Sequence, residues 1–366
     1  MGFSDFHGNA ETVAAIRQML ARDRFPHAVI LAGPRGSGKF TLAQMIAKAM
    51  NCLEQPAGAL PDFCGHCANC VQIGGADDLP ARLAEAVEAR ENLREADRKD
   101  TRIFVQTHAD VLIIPPDPPQ MMVKVDQIRH LISAIYKRPA KARQAVYIFP
   151  ESAFMKEAAN SLLKVLEEPP AFATLLIAST NPGELLPTIR SRCVTLRLAP
   201  LPTSELEQYL AQGRPDWNSK TRALVARLCG GAVGKAICFD LETYTAARKD
   251  ALVLLNSAVH AEDHSQLFRT TEDYRAGGEG REKTEQLLQA VYGVLEDILY
   301  LKSGASALVR NVDIVPELSG LAGLVDFQWI VSASHGLDEV HSGMRRNVLR
   351  SLSLDAFSTE LEPETA

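Results

Sequence analysis

Two groups of residues in this chain have the types and spacing to do chemistry. The first is Gly33-Pro34-Arg35-Gly36-Ser37-Gly38-Lys39-Phe40. It fits the pattern G-x4-G-K, in which backbone N–H groups wrap a phosphate and the lysine meets its outer oxygens. The next position should place a hydroxyl on Mg2+; here it is Phe40, which has none. Thr41 follows, but one helical step turns a side chain by about 100°. The competing reading is a glycine turn that only opens a helix. Hydrolysis also needs an acid at the end of a neighbouring strand to hold the metal ion. The apolar run Ala145-Val146-Tyr147-Ile148-Phe149 ends in Pro150-Glu151. Pro150 stands where an aspartate is expected, although the Glu151 carboxylate could polarise a water. With both Mg2+ supports missing, the loop is expected not to hydrolyse ATP, and ATP/Mg2+ binding itself is open.

The second group is Cys52, Cys64, Cys67 and Cys70, spaced C-x11-C-x2-C-x2-C. Two-residue gaps let successive thiolates turn back onto one tetrahedral ion, which reads as structural Zn2+. Cysteine at all four positions leaves no open coordination site for catalysis. An iron–sulfur cluster would call for a further Cys three residues on, followed by Pro, and Val71-Gln72-Ile73-Gly74 offers none. Free thiols are the remaining alternative. Cys193, Cys229 and Cys238 read as small apolar fillers.

Regular elements must position both groups. His27–Ala32 reads as a buried strand running into the glycine loop, and 40–50 as the helix after it. Strand, glycine loop and helix is the context that makes a phosphate-loop match credible. Further apolar runs at 110–114, 145–149 and 174–179 read as strands, with helical periodicity at 11–22, 124–137 and 154–168. Such alternation predicts an α/β fold with a parallel sheet covered by helices on both faces. Residues 77–100 carry mixed-sign charge and read as a solvated helical insertion without chemistry. Beyond Pro200-Leu201-Pro202 the strands stop. Residues 203–246 read as a small helical group with a Gly230-Gly231 break, and 247–357 as further helices interrupted around Ala276–Gly280. The last residues, from Thr359, read as a frayed acidic tail.

At 366 residues the chain should form two or three domains. Its net charge of −6 argues against DNA binding by bulk charge, so any nucleic-acid role must be local or shared. No apolar run is long enough for a membrane span, and Met1–Leu20 lacks the pattern of a secretory signal. A cytoplasmic protein is expected, and clustered cysteines in a reducing compartment favour metal over disulfides.

Several segments together resemble bacterial clamp-loader subunits of the AAA+ class. They are Phe25-Pro26-His27-Ala28 through Lys39, Asn51-Cys52 with the later cysteines, Val123–Arg129, and Ala158–Pro170. Ser191-Arg192-Cys193 is similar to that family's arginine-finger triplet, and Val294–Leu299 with Arg345-Arg346-Asn347-Val348 to its collar helices. Gly234 stands where an active member carries its sensor arginine, next to Lys235. The degenerate loop is similar to the non-hydrolysing delta-prime branch; an active gamma/tau-type ATPase is the alternative.

The resemblance implies an AAA+ RecA-like domain over 1–200 with a zinc module at about 50–75 and the charged insertion at about 75–105. A helical lid over 201–246 and an all-α collar over 247–366 would follow. It implies a fixed wall in a ring that loads a sliding clamp on primed DNA, with gamma/tau and delta subunits as partners. Gly33, Gly36, Gly38, Lys39, Glu151 and Thr180 would form the degenerate nucleotide site. Arg192 would act in trans on ATP bound by a neighbour.

Overall fold

The computed structural model describes all residues except 1, 59, 261–263, 275–277, 346–348 and 362–366. Part of the expected collar motif, Arg346-Asn347-Val348, and most of the acidic tail lie outside the described residues. The chain divides into two compact units, Met1–Pro202 with Gly231–Lys235, and Thr203–Gly230 with Ala236–Ala366.

In the first unit, a 3₁₀ turn at Phe3–Asp5 precedes α1 (Ala10–Ala21), β1 (Ala28–Ala32) and α2 (Lys39–Asn51). Then come α3 (Ala68–Gly74), α4 (Leu79–Glu91), α5 (Glu95–Asp100), β2 (Val105–His108), β3 (Val111–Ile113) and α6 (Val125–Ile135). The unit continues through β4 (Ala145–Phe149), α7 (Lys156–Glu167), β5 (Ala173–Ser179), α8 (Pro187–Arg190) and β6 (Val194–Arg197). The strands form one sheet in the order β2-β3-β4-β5-β1-β6. All pairs are parallel except β2 with β3.

Every residue of β1, β4 and β5 is buried, as expected for strands covered on both faces. Alternate residues feed two cores. Val29, Leu31, Val146, Ile148 and Leu176 pack with α1, α2 and the cysteine segment. Ile30, Tyr147, Phe149, Leu175 and Ile177 pack with α6 and α7. The sequence reading missed β2 and β6. Both are four-residue edge strands, and β6 is largely exposed, so neither shows an apolar run.

The insertion does form helices, α4 and α5, but the expectation of a merely solvated elaboration needs correction. Arg90 on α4 reaches Asp117, which is fully buried. Lys124 Nζ stands 3.2 Å and Arg102 Nε 3.9 Å from the same carboxylate, and Arg102 also pairs with Asp126 at 2.9 Å. A buried carboxylate requires such company, and here it fastens the insertion to the segment between β3 and α6.

The second unit contains helices alone among its described residues. They are α9 (Thr203–Gly213), α10 (Ser219–Leu228), α12 (Leu241–Val259), α13 (Ser265–Glu272), α14 (Gly278–Lys302), α15 (Val315–Leu324), α16 (Phe327–Arg345) and α17 (Arg350–Glu360), with a 3₁₀ turn at Ser306–Leu308; α11 (Val233–Ile237) starts in the first unit. Leu287, Val291, Val294 and Ile298 of α14 recur at helical spacing and are completely buried. The lone acid among them, Asp297, accepts hydrogen bonds from the backbone of Arg310 and Asn311 and the side chain of Asn311.

Candidate functional site

The loop between β1 and α2 is built around positive-φ glycines. Gly36 has φ +80° and Gly38 φ +82°, a region that favours glycine. A Cβ on Gly36 would lie 2.8 Å from the Lys235 nitrogen, and one on Gly38 2.9 Å from the Phe6 ring. The Gly234 N–H donates to the Gly36 carbonyl at 2.8 Å, so the segment after the Gly230-Gly231 break closes directly on the loop.

Lys39 opens α2 with its ammonium turned onto its own loop. Nζ donates to the carbonyls of Gly33 at 2.8 Å and Pro34 at 2.7 Å. Burial pulls its pKa below the ordinary lysine value, while the nearby Glu151 carboxylate works the other way. The hydroxyl of Ser37 is buried without a hydrogen-bond partner. An orphaned donor beside a glycine loop fits an anion such as a phosphate oxygen.

A cavity of about 560 Å3 opens over this loop. It gathers Gly36, Gly38, Lys39, Glu151 and Thr180 from the expected site, with Phe40, Thr41, Pro150 and Gly234. Gly33 stands at the end of β1, its N–H bonded to the Ser179 carbonyl at 3.1 Å. Glu184 also lines the cavity and was missed by the sequence reading, because no motif marks it. Phe6 was missed for the same reason. Thr41 shares the wall with Phe40. The residues fit a phosphate. At the two positions where hydroxyl and carboxylate usually hold Mg2+, they offer a phenyl ring and a pyrrolidine.

The cysteines come together as their spacing predicts. The sulfurs of Cys52, Cys64, Cys67 and Cys70 all lie within 4.8 Å of one another. A tetrahedral ion with metal–sulfur bonds of about 2.3 Å needs sulfurs about 3.8 Å apart. Cys52 caps the end of α2, Cys67 caps the start of α3, and Cys70 sits in its first turn. Backbone N–H groups point at the sulfurs: Cys64 to Cys52 at 3.3 Å, Cys67 to Cys64 at 3.2 Å, and Leu53 to Cys67 at 3.5 Å. Burial pushes the Cys67 thiol up, but N–H groups of Cys70 and Leu53 and the adjoining thiols outweigh it and bring it down to about 6. Burial raises Cys52 and Cys70. An all-sulfur donor set of this geometry fits a closed zinc site.

Side chains around the cluster anchor it. Asn51 Oδ1 accepts from the backbone of Arg143 and Gln144, and Asn69 joins the Asn51 carbonyl to the buried His108 ring. Asp62 accepts from the Phe3 and Phe63 N–H groups at 3.0 and 2.9 Å, and the Phe3 and Phe63 rings meet edge-on. Of the other cysteines, Cys229 is buried and Cys193 is half-buried, its pKa raised by burial to about 11. Cys238 departs from the expected filler role. It follows the short α11 and is exposed.

Arg192 lies in the turn between α8 and β6 and is partly exposed. Its Nη2 pairs with Glu167 at 2.7 Å, and its Nη1 donates to the Thr188 carbonyl at 3.0 Å. It does not line the cavity over the phosphate loop.

Counting its parallel strands alone, the sheet runs fifth-first-fourth-third-second, with the glycine loop leaving the first strand, which lies between the fifth and the fourth. That order, the loop and the all-α segment that follows define an AAA+ P-loop protein. The profile of the family described as "DNA polymerase III, delta subunit" matches residues 8–80 and 75–202. The chain belongs to that family of bacterial clamp-loader proteins. It is 31% identical over 217 residues to DNA polymerase III subunit delta' of Pseudomonas aeruginosa, covering 59% of this chain and 56% of the relative. It is 27% identical over 332 residues to DNA polymerase III subunit tau of Salmonella typhimurium, covering 89% of this chain and 41% of the relative. The chain thus matches well under two thirds of either relative's length. A gamma-subunit-related DNA polymerase III protein from Thermotoga maritima aligns over 94% of this chain and 98% of its own at 16% identity, with a TM-score of 0.36. No helix among the described residues is long and apolar enough to cross a membrane.

Proposed function

We propose that this chain is the delta-prime-type subunit of a bacterial clamp loader: a non-hydrolysing wall of a ring that loads a sliding clamp on primed DNA. The observation that carries this reading is the pair Phe40 and Pro150 in the wall of the cavity. A phosphate loop without a hydroxyl after its lysine, facing a strand end without an aspartate, has lost the side chains that hold Mg2+. Gly234 adds to this, because its backbone rather than a cationic side chain closes on the loop.

In this reading gamma/tau and delta subunits are the partners, and the cysteine cluster holds Zn2+ that only braces the fold. Arg192 supplies its guanidinium to charge developing on a γ-phosphate bound by a neighbouring subunit. To do so it exchanges Glu167 for phosphate oxygens, which match its planar fork equally well. The alternative, an active gamma/tau-type ATPase, is favoured by the identity to tau subunits and by Thr41 and Glu151 in the cavity wall.

ATP turnover separates the two. The isolated chain should show no Mg2+-dependent turnover above background. In a reconstituted complex whose other gamma/tau sites are silenced, Arg192→Ala should cut the remaining hydrolysis by at least about 10³-fold, in line with related arginine fingers. A clear rate in the isolated chain, abolished by Lys39→Ala, would establish the alternative.

A further inference from the structure

At the opposite end of β4 from the phosphate loop lies a second dent, of about 230 Å3. Its floor is apolar, made by Leu112 of β3 with Ala145 and Tyr147 of β4, all at least nine-tenths buried. Tyr147 is the unusual member. It is 6% exposed, and its hydroxyl has no hydrogen-bond partner among the described residues. The ring is buried while the hydroxyl opens onto the dent, so its O–H is a donor free to meet an incoming acceptor.

The rim is cationic. Lys137 and Arg138 border the dent from the loop after α6. Both are exposed, and neither has an ionic or hydrogen-bonded side-chain partner among the described residues. The one acid at the border, Asp110, also lies near enough to Tyr147 for its charge to be felt there, but its carboxylate is neutralised in part by accepting the N–H groups of Ala140, Lys141 and Ala142 at 2.7–2.8 Å. Those bonds hold the basic loop in a fixed shape, and Lys141 and Arg143 extend its exposed charge. In a chain of net charge −6, this is a local reversal of sign with a preformed pocket in it.

We propose that this dent is a docking site for an acidic peptide segment of a protein partner. One Glu or Asp side chain enters, its carboxylate accepting from the Tyr147 hydroxyl while Lys137 and Arg138 neutralise it. Size favours a carboxylate over nucleic acid. A phosphodiester carries a sugar on either side and cannot follow a single side chain into 230 Å3 floored by a sheet, whereas a Glu stem can.

Fluorescence anisotropy on the full chain tests this with a fluorescein-labelled octapeptide of Glu and Gly. Its Gln counterpart and a short DNA single strand are the comparisons. The Glu peptide should bind, and the Gln peptide and the DNA should bind at least about tenfold more weakly. Tyr147→Phe keeps the ring and removes one donor to a charged group, and should weaken binding by about tenfold or more. Lys137→Ala/Arg138→Ala should weaken it further and flatten its salt dependence. The proposal falls if the Glu peptide binds no more tightly than about 1 mM. It equally falls if Tyr147→Phe binds like wild type, which would leave only diffuse surface charge. Preferred binding of the DNA, lost in the double variant, would overturn it in favour of a nucleic-acid surface.

Discussion

Replacing Asp117 by Asn should loosen the first unit by an amount the surrounding charges set. Asp117 is fully buried, and the side chains of Arg90, Lys124 and Arg102 facing it are 12%, 18% and 20% exposed. Asparagine keeps the shape and removes the charge, leaving three largely desolvated cations with Asp126 as their remaining acid. Breaking a fully buried pair costs about 3–5 kcal/mol. The cations here keep some water and Arg102 keeps Asp126, so about 2–4 kcal/mol is expected. For a unit of this size each kcal/mol moves the midpoint by about 2–4 °C, so calorimetry should show a fall of roughly 4–16 °C. Amide exchange supplies the local signature, with protection lost first across α4 and α5, because Arg90 is their link to Asp117. In a double-mutant cycle, Arg90→Ala on top of Asp117→Asn should cost much less than it does alone. A midpoint within about 2 °C of wild type, with α4 exchanging as before, would refute the argument.

Further outcomes follow from the sites. Metal analysis should find about one zinc per chain; iron, or less than about a tenth of an equivalent, would remove the assignment. Cys67→Ser should lose the metal and loosen residues 50–75 while the sheet stays folded, as read by exchange protection in β1, β4 and β5. Lys39→Ala should leave the assembled complex's ATPase close to wild type, and a drop to background would show that this loop hydrolyses. Gly36→Ala puts a methyl 2.8 Å from the Lys235 nitrogen at positive φ. It should cost about 1–3 kcal/mol in denaturant melts, and an unchanged midpoint would mean that the closure by residues 231–235 is soft.

What the sequence disclosed depended on how local the signal was. The phosphate loop and the cysteine knuckle are short patterns whose residues lie near one another in the chain, so spacing alone placed them. The central strands showed because burial on both faces forces unbroken apolar runs. The edge strands β2 and β6 carry no such run, since one side of each has no neighbour. Asp117, Tyr147 and Phe6 could not be found from sequence. The importance of Asp117 comes from cations 7 to 27 positions away, that of Tyr147 from a partner its hydroxyl lacks, and that of Phe6 from a glycine 32 residues on. The mixed charges of 77–100 looked uniformly solvated for a related reason. Composition cannot separate the one arginine that turns inward from its neighbours that do not.

Lys39 spends its ammonium on two carbonyls of its own loop, and this makes the loop selective about what can displace them. Each hydrogen bond to a charged group is worth about 1.5–3 kcal/mol. A small anion such as sulfate, offering the lysine one or two contacts, does little better than the carbonyls already there. A ligand must bring several contacts at once, reaching the Ser37 hydroxyl and the amides of the glycine turn as well as the lysine. The resting loop therefore favours a ligand that meets several of its donors at once over a simple inorganic anion.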